Sequence, residues 1–316
     1  MWILFSMLCM VTMTLADIIG KKAVIEDELA PIKLRIMGIA VSFVLGMMMY
    51  FLHLGESGLA PWTLIANYPV ILAVICCTVF SDFLYIFSLK YVGMTIMEAI
   101  SSLEGIVIFV GMIIINSFSG RLGAIREMLT PARLIFILLI LICTILLPNT
   151  ELLANRNTVI DNGQKKGRKL IVFGILISLS AAILSCGDSL IMDTLLDADV
   201  VGTVDVTMAA FFSQIFLLPV FYFLLTQKSR QNKASRKVIS RYSVAYALLG
   251  VVHMFMGTIS ISFDAVRSEI MFLTYPVISI FGAKIILKEK YTWRQSIFIW
   301  IITLAAICFC AIDYIS

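Results

Sequence analysis

Residues 68–89 read YPVILAVICCTVFSDFLYIFSL, an apolar run broken by one charge, Asp82. As an α-helix a run of this length reaches about 33 Å at ~1.5 Å per residue, and the hydrocarbon core of a bilayer is about 30 Å thick. A helix this long and apolar all round predicts a membrane span rather than the one-sided helix of a soluble domain. A carboxyl group inside it costs roughly 2.5–3.5 kcal/mol on insertion scales, which makes Asp82 a functional candidate. Thr78, Asp82 and Tyr85 are spaced i, i+4 and i+7 and so share one helical face.

The rest of the chain repeats the pattern. Of its 316 residues 61% are hydrophobic and 14% charged, against about 45–50% and about 25% in soluble domains. Apolar runs between charged or turn-rich breaks give ten candidate spans, at 1–20, 34–54, 68–89, 94–116, 133–148, 169–192, 204–226, 243–263, 270–287 and 296–314. At about 20 residues per span, roughly ten residues remain for each connection, too few for a folded extramembrane domain of about 50. A receptor with an ectodomain, a membrane-tethered soluble enzyme and a nucleic-acid reader are excluded. Met1–Gly20 has no Lys or Arg before Lys21 and does not read as a cleavable signal.

The links after spans 1, 3, 5, 7 and 9 hold 20 of the 24 Lys and Arg residues, six of them in the run 228–241, which reads as a solvated loop. Basic residues gather on the cytoplasmic side, so these links are expected in the cytoplasm and both termini outside. The seven cysteines all sit in apolar runs and read as small buried hydrophobes rather than a disulfide framework.

A shift of 171 residues brings similar features into register. Asp17 meets Asp188, Asp82 meets His253, Glu98 meets Glu269, and Gly111 meets Gly282. Five spans per copy is an odd number, so the second copy enters the membrane upside down. The expected fold is all-α integral membrane, ten transmembrane helices as two inverted five-helix repeats, 1–150 and 165–316. Such repeats underlie many secondary transporters, with the site near the midplane between them.

Tyr275-Pro276-Val277-Ile278 through Gly282, then Lys288-Glu289-Lys290, Thr292, Gln295 and a final apolar helix, resemble the end of an EamA-type repeat. Asp17 and Lys21-Lys22 closing span 1, with Arg35 opening span 2, are similar to its start. The resemblance implies the drug/metabolite transporter superfamily: two inverted five-helix repeats carrying small metabolites by alternating access. The chain departs from that pattern at Gly105 and Gly120-Arg121, where the family often has a proline and an acidic turn. Family members also usually have cytoplasmic termini.

Tyr246, His253, Gly257, Ser260 and Asp264 fall within about 60° of one another at ~100° per residue, a polar stripe that must face protein or a water-filled cavity. Asp188 clusters with Ser185 and Ser189 in span 6, and Glu104 with Ser101 and Gly105 in span 4. Asp17 and Lys21 are spaced i, i+4, so an intrahelical ion pair competes with a site role for Asp17. Glu98 and Glu269 stand near helix starts, where dipole stabilisation competes with a gate role. Pro276 frees a carbonyl from the helix ladder, and Tyr275 beside it can offer a hydroxyl to substrate. Pro219 bends span 7.

The expected site is therefore Asp82, His253, Asp188, Asp17, Glu104, Tyr85, Ser260 and Tyr275, with Glu98, Glu269 and Arg35 as gates. The expected function is secondary transport of a small polar or cationic metabolite across the plasma membrane, with the proton as candidate coupling ion and Asp82 and His253 as leading coupling groups. A lipid-headgroup flippase or a channel is the alternative. His53 and His253 are the only histidines, and Cys308 and Cys310 lie ~200° apart around a helix. No enzyme, metal or cofactor is expected. The expected partners are the substrate and the bilayer, with the chain a monomer or homodimer.

Overall fold

The computed structural model describes residues 2–55, 57–101, 168–197, 202–232, 237–263 and 275–289, with short pieces between 110 and 146 and between 293 and 308. Among the described residues every regular element is helical. In chain order these are α1 (Trp2–Glu26), α2 (Ala30–Phe51), α3 (Pro61–Asn67), α4 (Val70–Ser88), α5 (Met94–Ser101) and α6 (Arg168–Asp197). Then come α7 (Thr203–Ser213), a 3₁₀ turn (Gln214–Leu217), α8 (Leu218–Asn232), α9 (Arg241–Phe263), α10 (Tyr275–Gly282) and a π-helical turn (Ala283–Leu287). The candidate spans at 133–148 and 296–314 are described only in part, as is the latter part of 94–116.

Among the described residues, four helical stretches are long and apolar enough to cross a membrane: Ile3–Glu26, Ala30–Phe51, Val70–Ser88 and Val204–Gln231. Large apolar side chains along them are exposed, among them Leu4, Val44, Met48, Phe216 and Phe223. In water so broad an apolar surface would drive association; acyl chains solvate it. The protein is a helical membrane protein.

Two boundaries differ from the sequence reading. The first span does not stop at residue 20: α1 runs through Lys21 and Lys22 to Glu26. The second begins at Ala30, so Lys33 and Arg35 lie inside α2, and Lys21, Lys33 and Arg35 are all buried. These three are not solvated link residues, because each cation has a fixed acceptor. Lys33 Nζ sits 2.7 Å from Asp27 Oδ2, while Asp27 Oδ1 accepts the Leu29 amide at 2.8 Å. One carboxylate thus closes the α1–α2 turn, and Pro31 in the first turn of α2 loses no hydrogen bond by lacking an N–H. The basic run at 228–241 is also only partly a loop, since α8 continues to Asn232. Arg230 in its last turn complements the helix dipole. The 3₁₀ turn lies just ahead of Pro219, which cannot donate to the α-helical ladder.

Matching residue n to n+171 pairs α1 with α6, α2 with α7–α8, and α4 with α9; α4 and α9 begin at Val70 and Arg241. The packing follows this correspondence. Helix α1 packs on α9, and α6 on α4. Helix α2 packs on α9, and α7 on α4. Helix α1 meets α10, and α6 meets α5. The matched pair α2 and α7 pack on each other, burying Ile39, Ile71, Val79, Met208, Phe211 and Phe221 in one core.

Candidate functional site

Helix α1 carries the most buried of the predicted acids. Asp17 is 5% exposed and its Oδ2 accepts the Tyr275 hydroxyl from the start of α10. The helices come close because Gly282 faces α1: a Cβ there would lie 2.7 Å from Thr14 Cγ2. Pro276 follows Tyr275 in α10. The Tyr85 hydroxyl of α4 also hydrogen-bonds Asp17. Among the described residues no cation touches this carboxylate.

Asp82 lies one turn before Tyr85 on α4. Its Oδ2 is 2.7 Å from Arg35 Nη1 of α2. The pair is lopsided: the Arg35 side chain is 7% exposed and that of Asp82 46%. Arg35 Nε is buried with no hydrogen-bond partner. A guanidinium donates in a fixed fork, so Arg35 gives one arm to Asp82 and keeps a second donor in reserve. Tyr246 of α9 completes the group, close enough to feel the charges of Asp82, Arg35 and Asp17. Five helices therefore converge on two carboxylates, one guanidinium and three tyrosines.

The polar stripe of α9 turns toward α1, which it meets antiparallel. Ser260 Oγ and Ser6 Oγ are 2.5 Å apart. His253 Nδ1 lies 3.1 Å from Cys9 Sγ and 3.2 Å from the Cys9 carbonyl oxygen. In one tautomer Nδ1 donates to that carbonyl, and in the other it accepts the Cys9 thiol proton. Gly20 stacks under the Tyr246 ring, and the Tyr242 hydroxyl donates to Glu26 at the far end. His253 and Ser260 thus face protein along this seam, and Cys9 is a hydrogen-bonding member of it.

The alternative pairing of Asp17 with Lys21 gives way to separate partners. Lys21 Nζ donates to the carbonyls of Leu89 at 2.6 Å and Val92 at 2.9 Å, satisfying groups left open at the C-terminal end of α4. The next helix is held by an opposite charge. Glu289 Oε1 accepts the Met94 amide at 3.0 Å, an anion at the N-terminus of α5. A cation and an anion from distant segments thus fix the short α4–α5 turn.

The structure brings Asp17, Tyr85, Tyr275, Asp82 and Arg35 together. Glu104 and Glu269 lie outside the described residues, and Asp188 and Glu98 stand on α6 and α5 with side chains that are not described. Sequence reasoning left Tyr246 off the site, although it sits two turns before His253 on the same face. It also passed over Asp205, a fully buried acid whose Oδ2 accepts the Ser57 amide at 2.8 Å. Its place between Val204 and Val206 was the visible signal.

No family model and no curated protein matches the chain. It is similar to one solved crystal structure of a protein at a TM-score of 0.55 and 17% identity, covering 98% of this chain and 97% of that one. At that identity the likeness is one of fold.

Proposed function

We propose that the protein is a multi-pass secondary transporter of the plasma membrane, moving a small polar or cationic metabolite by alternating access. In this reading ten spans form two inverted five-helix repeats, as the resemblance to drug/metabolite transporters implies, and the Asp17–Arg35–Asp82 group is the substrate and coupling site. The observation that carries it is the reciprocal packing. Exchanging the halves turns the α1–α9 contact into α6–α4 and α2–α9 into α7–α4. That is the pattern expected when a twofold axis relates the halves, and inverted repeats hold their site at the interface between them.

The basic residues support cytoplasmic odd-numbered links: with Lys21, Lys33 and Arg35 set aside as buried, those that remain still outnumber the four in even links. Burial of ionisable groups at span depth supports a working site, since such groups are otherwise expensive. In proteoliposomes, Asp82→Asn is expected to abolish pH-driven flux. Wild-type pH dependence in that variant removes the coupling role. Saturable uptake accelerated by solute on the opposite face separates a carrier from a channel, and movement of a lipid headgroup would identify a flippase.

A further inference from the structure

We infer that the Asp17–Arg35–Asp82 group takes a monovalent organic amine bearing one neutral oxygen acceptor, an amino alcohol, and that a proton competes with the amine for Asp17. The inference rests on the transporter reading and goes beyond it in naming the substrate class.

Charge comes first. Arg35 and Asp82 neutralise each other at 2.7 Å. Asp17 is buried, and the described groups that face it are the Tyr275 hydroxyl from α10 and Tyr85 and Asp82 from α4. Tyr246 of α9 adds no charge while protonated, Arg35 of α2 is committed to Asp82, and Lys21 on the same helix points to the Leu89 and Val92 carbonyls. His253 lies two turns back toward the N-terminus of α1, against Cys9. With both acids ionised, one negative charge is left without a counterion, and a low-dielectric site does not hold such a charge bare. One ammonium or one proton completes it, and each excludes the other.

Shape of chemistry comes second. The buried Arg35 Nε has no partner and asks for an oxygen. A carboxylate on the ligand would have to take Arg35 from Asp82 and leave that acid uncompensated, which disfavours anions and zwitterions. A hydroxyl or ether oxygen satisfies Nε and leaves the ion pair whole. Asp82, 46% exposed on its side chain, is the exposed member of the group and Asp17 the buried one.

Calorimetry on the purified protein tests this with ethanolamine, ethylamine, glycine and acetate. Ethanolamine is expected to bind at least tenfold more tightly than ethylamine, with glycine and acetate weaker still. Its Kd should rise as pH falls, approaching tenfold per unit. Arg35→Lys keeps the charge but drops Nε, and should erase the preference for ethanolamine over ethylamine. Asp17→Asn should remove binding of both amines, and Asp17→Glu should restore it together with the proton competition, which separates a lost site from a lost fold. Glycine or acetate binding more tightly than ethanolamine, equal affinity for the two amines, or no ethanolamine binding overturns the inference. Counterflow of an anion or zwitterion would also sink it and leave the carrier reading standing. Ethanolamine binding without counterflow of any solute would sink the carrier reading instead.

Discussion

The two long antiparallel seams correspond to each other under the 171-residue shift, yet they are built differently. Along α1 and α9 side chain meets side chain: Ser6 with Ser260, Cys9 with His253, Glu26 with Tyr242. Along α4 and α6 contact comes from small residues and backbone. Ser81 Oγ donates to the Ala181 carbonyl at 2.8 Å, and Gly174 packs beneath Tyr91. Close approach at small residues and interhelical hydrogen bonds are the two means by which helices associate in lipid, where no hydrophobic drive operates between them. Here the α1–α9 seam leans on side-chain pairs, and the α4–α6 seam on a close-packed glycine and a serine–carbonyl hydrogen bond. The described ionisable groups at span depth gather where the polar seam opens toward α2, α4 and α10.

Positions 82 and 253 correspond in the two halves, and comparing them gives the largest expected effect. Asp82→Asn strands the Arg35 guanidinium, buried at 7% exposure. Breaking a fully buried pair costs about 3–5 kcal/mol. With Asp82 half open, the expected loss is smaller, about 1–3 kcal/mol after solvent screening, alongside the loss of pH-driven flux. His253→Asn should leave most flux intact, because that side chain faces Cys9 on α1. Parallel thermal unfolding and flux assays measure both, and equal loss of flux would move His253 into the site.

Glycine substitutions sharpen the contrast between the seams. A Cβ at Gly174 would lie 2.6 Å from Tyr91 Cβ, whereas one at Gly20 would lie 3.6 Å from the Tyr246 ring. Gly174→Ala is therefore expected to destabilise by about 1–3 kcal/mol through overpacking. Gly20→Ala should be neutral or gain up to about 1 kcal/mol from helix propensity. Denaturation midpoints in detergent read the difference, and the reverse order would mean the seams are packed otherwise.

The smallest effects come from single hydrogen bonds. Ser260→Ala and Ser81→Ala should each cost about 0.6 kcal/mol, a typical value for such bonds in membranes. A loss above ~2 kcal/mol at Ser260 alone would assign the polar seam more of the stability than its geometry supports.

Much of this was legible in the sequence. The helices at Val70–Ser88 and Arg241–Phe263 follow from apolar runs of spanning length, and they begin 171 residues apart. Asp17, Asp82, Tyr85 and Tyr275 were singled out because hydroxyl and carboxyl groups stand out against apolar neighbours. The partners were not legible. Nothing in local spacing says that Arg35 reaches Asp82, that Lys21 turns to the end of α4 rather than to Asp17, or that Glu289 holds the start of α5. These contacts are set by tertiary packing, and Lys21 and Arg35 looked like link residues because their acceptors lie far off in the chain. Tyr246 was visible only as part of a stripe, and its nearness to Asp17 needed the α1–α9 approach.

The central claim is that Asp82 opens into water held between the two halves and not into acyl chains. In a protein without its native cysteines, Asp82→Cys should react with a charged, water-soluble thiol reagent and be protected by bound substrate. Reaction only with lipid-soluble maleimides, at a rate no solute alters, would contradict it.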